Sequence, residues 1–120
     1  MFNLFKKRSE KGVGIKYWDI DPGPGFRVIT NEDSIQYVNE DASKVIYFSV
    51  LIVQGNSHVA GDALHREREP EIVEDANGWQ FKGMKAATGQ VLVCVVTVKD
   101  QADLQWAKEF FSSVRYKNIG

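Results

Sequence analysis

Apolar and polar positions alternate most densely in two places. Gln90 to Val98 reads QVLVCVVTV, with Val91, Val93 and Val95 in one alternating set and Leu92, Cys94, Val96 and Val98 in the other. Apolar side chains in both sets predict a strand covered on both faces, and therefore a central one. Lys44 to Gln54, with VIYFSVLIV at its centre, repeats the pattern. Two such strands in one chain predict a sheet with helices or other cover on both faces. After Asp100 the period changes. Leu104, Ala107, Phe111 and Val114 recur at helical spacing, with Trp106 or Phe110 at the margin of the stripe, which predicts an amphipathic helix to near Arg115 that closes over the sheet. Asp100 is placed to accept from the free amides of the first turn, and Asp103 adds a carboxylate near the positive helix end.

The remaining segments are shorter. Val13 to Ile20 alternates imperfectly and predicts a strand that ends at Asp21-Pro22-Gly23-Pro24-Gly25, where prolines and glycines break regular structure. Phe26 to Thr30 and Ser34 to Val38 read as strands joined through Asn31, Glu32 and Asp33, with a loop from Asn39 to Ser43. Val59 to Glu69 places Val59, Ala63 and Leu64 among charged residues, as in a short amphipathic helix, and Pro70 terminates it. Asn77-Gly78 between strand-like runs predicts a type I′ hairpin turn pairing residues 71–76 with 79–86. Thr88-Gly89 then returns the chain into the central strand as a three-stranded meander. The sum is an α+β fold. It has one domain over residues 12–120 with a mainly antiparallel sheet of roughly six or seven strands, a short internal helix and a C-terminal helix packed on the sheet. Residues 1–11 form a tail or a short helix.

Composition narrows the class without naming a function. Of 120 residues, 43% are hydrophobic and 26% charged, an ordinary globular mixture that fits one compact domain. Fifteen basic residues against sixteen acidic ones leave a net charge of -1, whereas a nucleic-acid binder carries a basic excess or stripe, so no nucleic acid is expected as partner. The single cysteine, Cys94, lies in the apolar strand, which excludes an internal disulfide and favours a reducing, cytoplasmic setting. The start of the chain places Phe2, Leu4 and Phe5 before Lys6, Lys7 and Arg8, the reverse of a secretory signal. Peripheral membrane contact through residues 1–8, rings inserted and lysines at head groups, is an alternative to a frayed or packed segment. The longest apolar run, Val45 to Val53, is broken by Ser49 and too short to span a bilayer.

Candidate chemistry is sparse. His58 and His65 do not match a zinc-site spacing, and Asp62 with His65 offers one weak contact on a helix face. Asp19, Asp21, Glu32, Asp33, Glu40 and Asp41 cluster in the first third, but the calcium-loop pattern is missing and solvated loops leave their pKa values unseparated. Cys94 lacks the electropositive, partly exposed surroundings of a reactive thiolate. Gly23-Pro24-Gly25 lacks the glycine spacing and following helix of a phosphate loop. No catalytic residue, metal ligand or cofactor is assigned. The aromatic residues of the less apolar strands, Tyr17, Trp18, Phe26 and Tyr37, are the candidate partner-binding positions if their rings are exposed, with core packing as the competing fate.

The carboxy-terminal half resembles the end of proteins with the Mog1/PsbP/DcrB-like fold. The features that carry the likeness are a strand at Trp79 to Ala86, the Thr88-Gly89 turn, the apolar strand Val91 to Val98, and a helix from Leu104 to Val114 with paired Phe110-Phe111 and Ser113-Val114. The resemblance spans residues 78–116 and implies a non-catalytic adaptor or chaperone-like module whose curved sheet face binds another protein. The alternative is a small-molecule binder or an enzyme of unrecognised type, whose mark is a closed pocket with convergent polar groups.

Overall fold

The computed structural model describes residues 14–32, 34–52, 70–87 and 89–117. The fold is α+β. A six-stranded antiparallel sheet is built from β2 (Phe26–Thr30), β3 (Ser34–Asn39), β4 (Lys44–Ile52), β5 (Glu71–Asp75), β6 (Gly78–Ala87) and β7 (Gln90–Val98), in the order β2-β3-β4-β7-β6-β5. The helix α1 (Asp103–Ser113) packs on one face, and a two-stranded ribbon joins β1 (Trp18–Asp19) to β8 (Arg115–Tyr116). The internal helix expected over Val59 to Glu69 and the segment 1–11 lie outside the described residues.

As the sequence predicts, β7 is central, flanked by β4 and β6. Register explains which residues make the core. Val50, Phe48 and Ile46 stand opposite Leu92, Cys94 and Val96, and Phe81 and Gly83 stand opposite Val96 and Cys94 from the other side. Since alternate side chains share a face, this whole set looks toward α1. Leu104, Ala107, Phe110 and Phe111 come down from the helix to meet it. Phe48 meets Phe110 edge-on at 5.9 Å, and Phe81 meets Phe111 edge-on at 5.4 Å. Gly83 makes room for the latter: a Cβ there would lie 2.8 Å from the Phe111 ring. Cys94 is fully buried beneath them, and that burial pushes its thiol far above the ordinary range, against a small opposing effect of Lys85.

The helix ends are closed by different means. The Asp100 carboxylate accepts the Ala102 amide at 3.0 Å and the Asp100 carbonyl accepts the Asp103 amide, so the aspartate shapes the turn before α1, while the helix itself starts after Ala102 with no side-chain cap on its first-turn amides. At the other end the Lys85 ammonium donates to the Val114 carbonyl at 2.6 Å while lying 4.7 Å from the centre of the Phe111 ring. A cation at the carboxyl end of the helix complements its dipole.

Three expectations are corrected. The strand expected over Val13 to Ile20 is not continuous in its described part, residues 14–20. Ile15–Tyr17 is a 3-10 turn, closed by the Tyr17 amide donating to the Gly14 carbonyl, and only Trp18–Asp19 is extended. Buried Gln90 decides this: its side-chain oxygen accepts from both the Gly14 amide (3.1 Å) and the Trp18 indole (3.0 Å). The hairpin between β5 and β6 exists, but its turn residues are Ala76-Asn77, one position early, since Asp75 pairs with Gly78. Only Gly78 of the three has a positive φ, and a side chain there would strike the Val98 carbonyl. Finally, the face of β4 turned away from α1 carries Tyr47 and Leu51 at 40% and 51% exposure, so its apolar pattern on both sides does not mean burial on both sides.

Replacing Phe111 with Ala empties the space above Gly83 and Cys94. The expected cost is about 3 to 5 kcal/mol, read as a lowered denaturant midpoint. A midpoint equal to that of the parent protein would mean that the ring does not bear on the sheet.

Candidate functional site

The edge strand β2 and the loops at its start form the candidate surface. Asp21 to Gly25 delivers the chain to β2, with the Asp21 carboxylate accepting the Gly23 amide at 2.9 Å. On the neighbouring side, Asn39 organises the turn into β4. Its side-chain oxygen accepts the Lys44 amide, its side-chain nitrogen donates to the Ser43 hydroxyl, and its carbonyl accepts the Ala42 amide. Ala42 holds a φ of 58°, the one non-glycine positive φ among the described residues. Asp41 is solvent-exposed, and hydrogen bonds from the hydroxyl and amide of Ser43 hold its carboxyl below the usual range. These bonds fix Glu40 and Asp41 at the mouth of the surface.

Two open depressions flank the beginning of β2. One, of about 420 Å³, lies between Pro24, Phe26, Glu40, Asp41 and Lys44. The other, of about 450 Å³, lies between Phe26, Arg27, Val38 and Glu40. Both are open to solvent, unlike the closed pocket that a small-molecule site would show. Under Phe26 the rings continue inward: Phe26 stacks on Trp106 at 6.1 Å, Trp106 on Phe110 at 5.8 Å, and the Lys44 ammonium sits 4.9 Å from the Trp106 ring centre. The strand start is therefore seated on α1 through a column of aromatic rings.

The four aromatic positions singled out from sequence separate into two groups. Phe26 and Tyr37 lie on adjacent strands on the α1 face, Phe26 half-buried at the rim and Tyr37 in the core. Tyr17 and Trp18 lie near Gln90, which pairs with Ile52 at the far end of β4 from Lys44. Trp18 is buried against the edge of Tyr116, and Tyr17 is half-buried with its carbonyl accepting the Lys117 amide. Core packing is thus the fate of Trp18 and Tyr37, and Phe26 alone of the four borders the depressions.

Sequence reading missed the exposed aliphatic residues. Val28 and Ile29 are 51% and 45% exposed on β2, and Ile29, Gln36 and Tyr47 form one row across the face turned from α1. That row continues through Val95 to Lys82 and Glu71, so along it the residues grade from apolar at β2 to charged at β5. The sequence signal was present in FRVIT, but apolar pattern alone does not tell an edge strand from an inner one. Of the carboxylates, Asp19, Asp21, Glu32, Glu40 and Asp41 are exposed, while Asp33 lies outside the described residues, as do His58, Asp62 and His65. Among the described residues there is no group of three or more His, Cys, Asp or Glu side chains that could hold a metal ion, and no helix long and apolar enough to cross a membrane.

No protein-family model, curated protein or solved structure matches this chain.

Beneath β2 the Tyr37 phenol is raised above its ordinary range, first by burial and then by the nearby Asp21 carboxylate. Both causes favour the neutral phenol in the folded state. The unfolded chain therefore loses this proton first as pH rises, and the stability that Tyr37 contributes is whole below pH ~10 and is lost progressively above it. Alkaline unfolding of the parent and of Tyr37→Phe should differ accordingly, with the variant showing the shallower loss of stability above that pH. Superimposable alkaline profiles would show that the phenol does not titrate differently on folding.

Proposed function

We propose that this chain is a non-catalytic protein-binding module, adaptor or chaperone-like, acting in the cytoplasm. The observation that carries the proposal is the exposure of Ile29, Tyr47 and Leu51, 45%, 40% and 51%, on the sheet face turned from α1. Aliphatic and aromatic side chains held rigidly on a sheet and left in water are the material of a partner contact, with tyrosine suited to the role because it buries a large ring at small entropic cost. The polar grading toward Lys82 and Glu71 supplies a rim on one side. The likeness of residues 78–116 to Mog1/PsbP/DcrB-like proteins supports the same reading, since it implies a sheet face used for binding. The cytoplasmic part rests on Cys94, a buried free thiol.

Affinity capture from the native cell extract, with the parent chain and with Tyr47→Lys/Leu51→Lys side by side, tests the proposal. A stoichiometric partner retained by the parent and reduced by about tenfold or more with the double variant is the expected result. An identical set of retained proteins for both chains would refute a role for this face.

A further inference from the structure

We propose that β2 is a docking edge that takes up an extended peptide with basic ends as a seventh strand of the sheet. The proposal rests on the protein-binding reading above and names the partner's chemistry and its mode of attachment. It begins with backbone geometry. The Asn31 amide donates to the Ser34 carbonyl at 2.9 Å, which makes Asn31 and Ser34 a hydrogen-bonded pair next to the turn. Antiparallel ladders alternate such pairs with non-bonded ones, and the register runs Thr30 to Ile35, Ile29 to Gln36, Val28 to Tyr37, Arg27 to Val38, Phe26 to Asn39. Ile29 and Arg27 therefore bond inward to β3. Phe26, Val28 and Thr30 direct their N–H and C=O groups outward, where, among the described residues, β2 has no neighbouring strand.

The two edges of the sheet differ in how they meet solvent. β5 follows Pro70 and carries Glu71, Glu74 and Asp75 within five residues, the charged edge by which sheets discourage added strands. β2 carries Arg27 as its one charge and exposes Val28 toward one face and Ile29 toward the other. An added strand would lie beside both aliphatic side chains, across β2 from the two depressions that share Phe26 and Glu40. Backbone bonds supply attachment in this mode and the alternate side chains supply selectivity.

Charge selects the occupant. Asp21, Glu40 and Asp41 are exposed at the start of β2, three carboxylates against the single exposed cation of the strand, Arg27, and Glu32 is exposed just past its end. A peptide with a cation at each end and β-forming residues between them meets opposite charge at both ends. A second copy does not. In antiparallel self-pairing centred on Val28, Glu32 of one copy falls opposite Pro24 of the other, beside the other copy's Glu40. In parallel self-pairing each carboxylate meets its own counterpart. Like charges brought together at both ends disfavour the homodimer.

Val28→Pro is the discriminating variant. Proline removes an N–H that faces outward, so the bonds between β2 and β3 survive, as prolines on edge strands permit. The probe is a fluorescent heptapeptide, alternating valine and threonine between two terminal lysines, compared by anisotropy at low salt with the same peptide ended by glutamates. The expected result is binding of the lysine-ended peptide, with the glutamate-ended one weaker by about tenfold and binding lost in Val28→Pro. If Val28→Pro unfolds, Glu40→Lys/Asp41→Lys serves instead, and it should abolish the preference for the lysine-ended peptide. Equal binding of both peptides, no binding of either, or undiminished binding by a folded Val28→Pro overturns the proposal. So does a parent chain that sediments as a dimer and becomes a monomer in Val28→Pro. A partner captured through Tyr47 and Leu51 but indifferent to Val28→Pro would refute strand addition while leaving the protein-binding reading in place.

Discussion

The fold depends on aromatic rings from one helix being set down on a place in the sheet where there is no side chain. Phe111 rests over Gly83 and against the edge of Phe81, next in the chain to Phe110, which meets Phe48. Directly between these contacts lie Cys94 and Val96 of the central strand, both fully buried. The helix cannot move toward β6 without striking the Gly83 backbone, and it cannot move away without exposing Phe110 and Phe111. Close packing of this kind turns a non-directional hydrophobic force into a particular position. Lys85 holds that position from the polar side, at once on the helix carbonyl and over the Phe111 ring.

What the sequence disclosed about the fold follows the range of the forces involved. QVLVCVVTV reads as a central strand because its apolar side chains fill both alternating sets, and the helix after Asp100 reads from its own spacing; both signals are local. The conformation around Gly14 to Trp18 is not local. It is set by Gln90, whose oxygen takes protons from groups 72 and 76 residues away in the chain, and no window of sequence contains both partners. The turn at Asn77 shifted by one residue for a related reason: the Val98 carbonyl, at the far end of another strand, leaves room only for glycine at position 78.

The candidate surface was less legible. Aromatic content pointed to Tyr17, Trp18, Phe26 and Tyr37, but ring identity says nothing about which face of a strand is covered. Trp18 and Tyr37 are drawn inward because the indole finds the Gln90 oxygen and the tyrosine sits opposite Ile46 under the helix. The aliphatic residues that stay in solvent, Val28 and Ile29, are exposed on β2, which ends the sheet among the described residues. Strand order is a property of pairing between distant segments, and a β-branched residue looks the same in the sequence at an edge as at the centre.

The ribbon of β1 and β8 carries a further implication for how the molecule comes into being. Trp18 and Asp19 pair with Tyr116 and Arg115, and Lys117 donates to the Tyr17 carbonyl. During synthesis the segment that leaves the ribosome early has no strand to pair with until residues 115–117 are translated. The β6–β7 hairpin needs only nearby residues and is free to assemble sooner. The ribbon is thus a clasp that cannot fasten until its second half has been made, and a translation product interrupted before residue 115 would leave it undone.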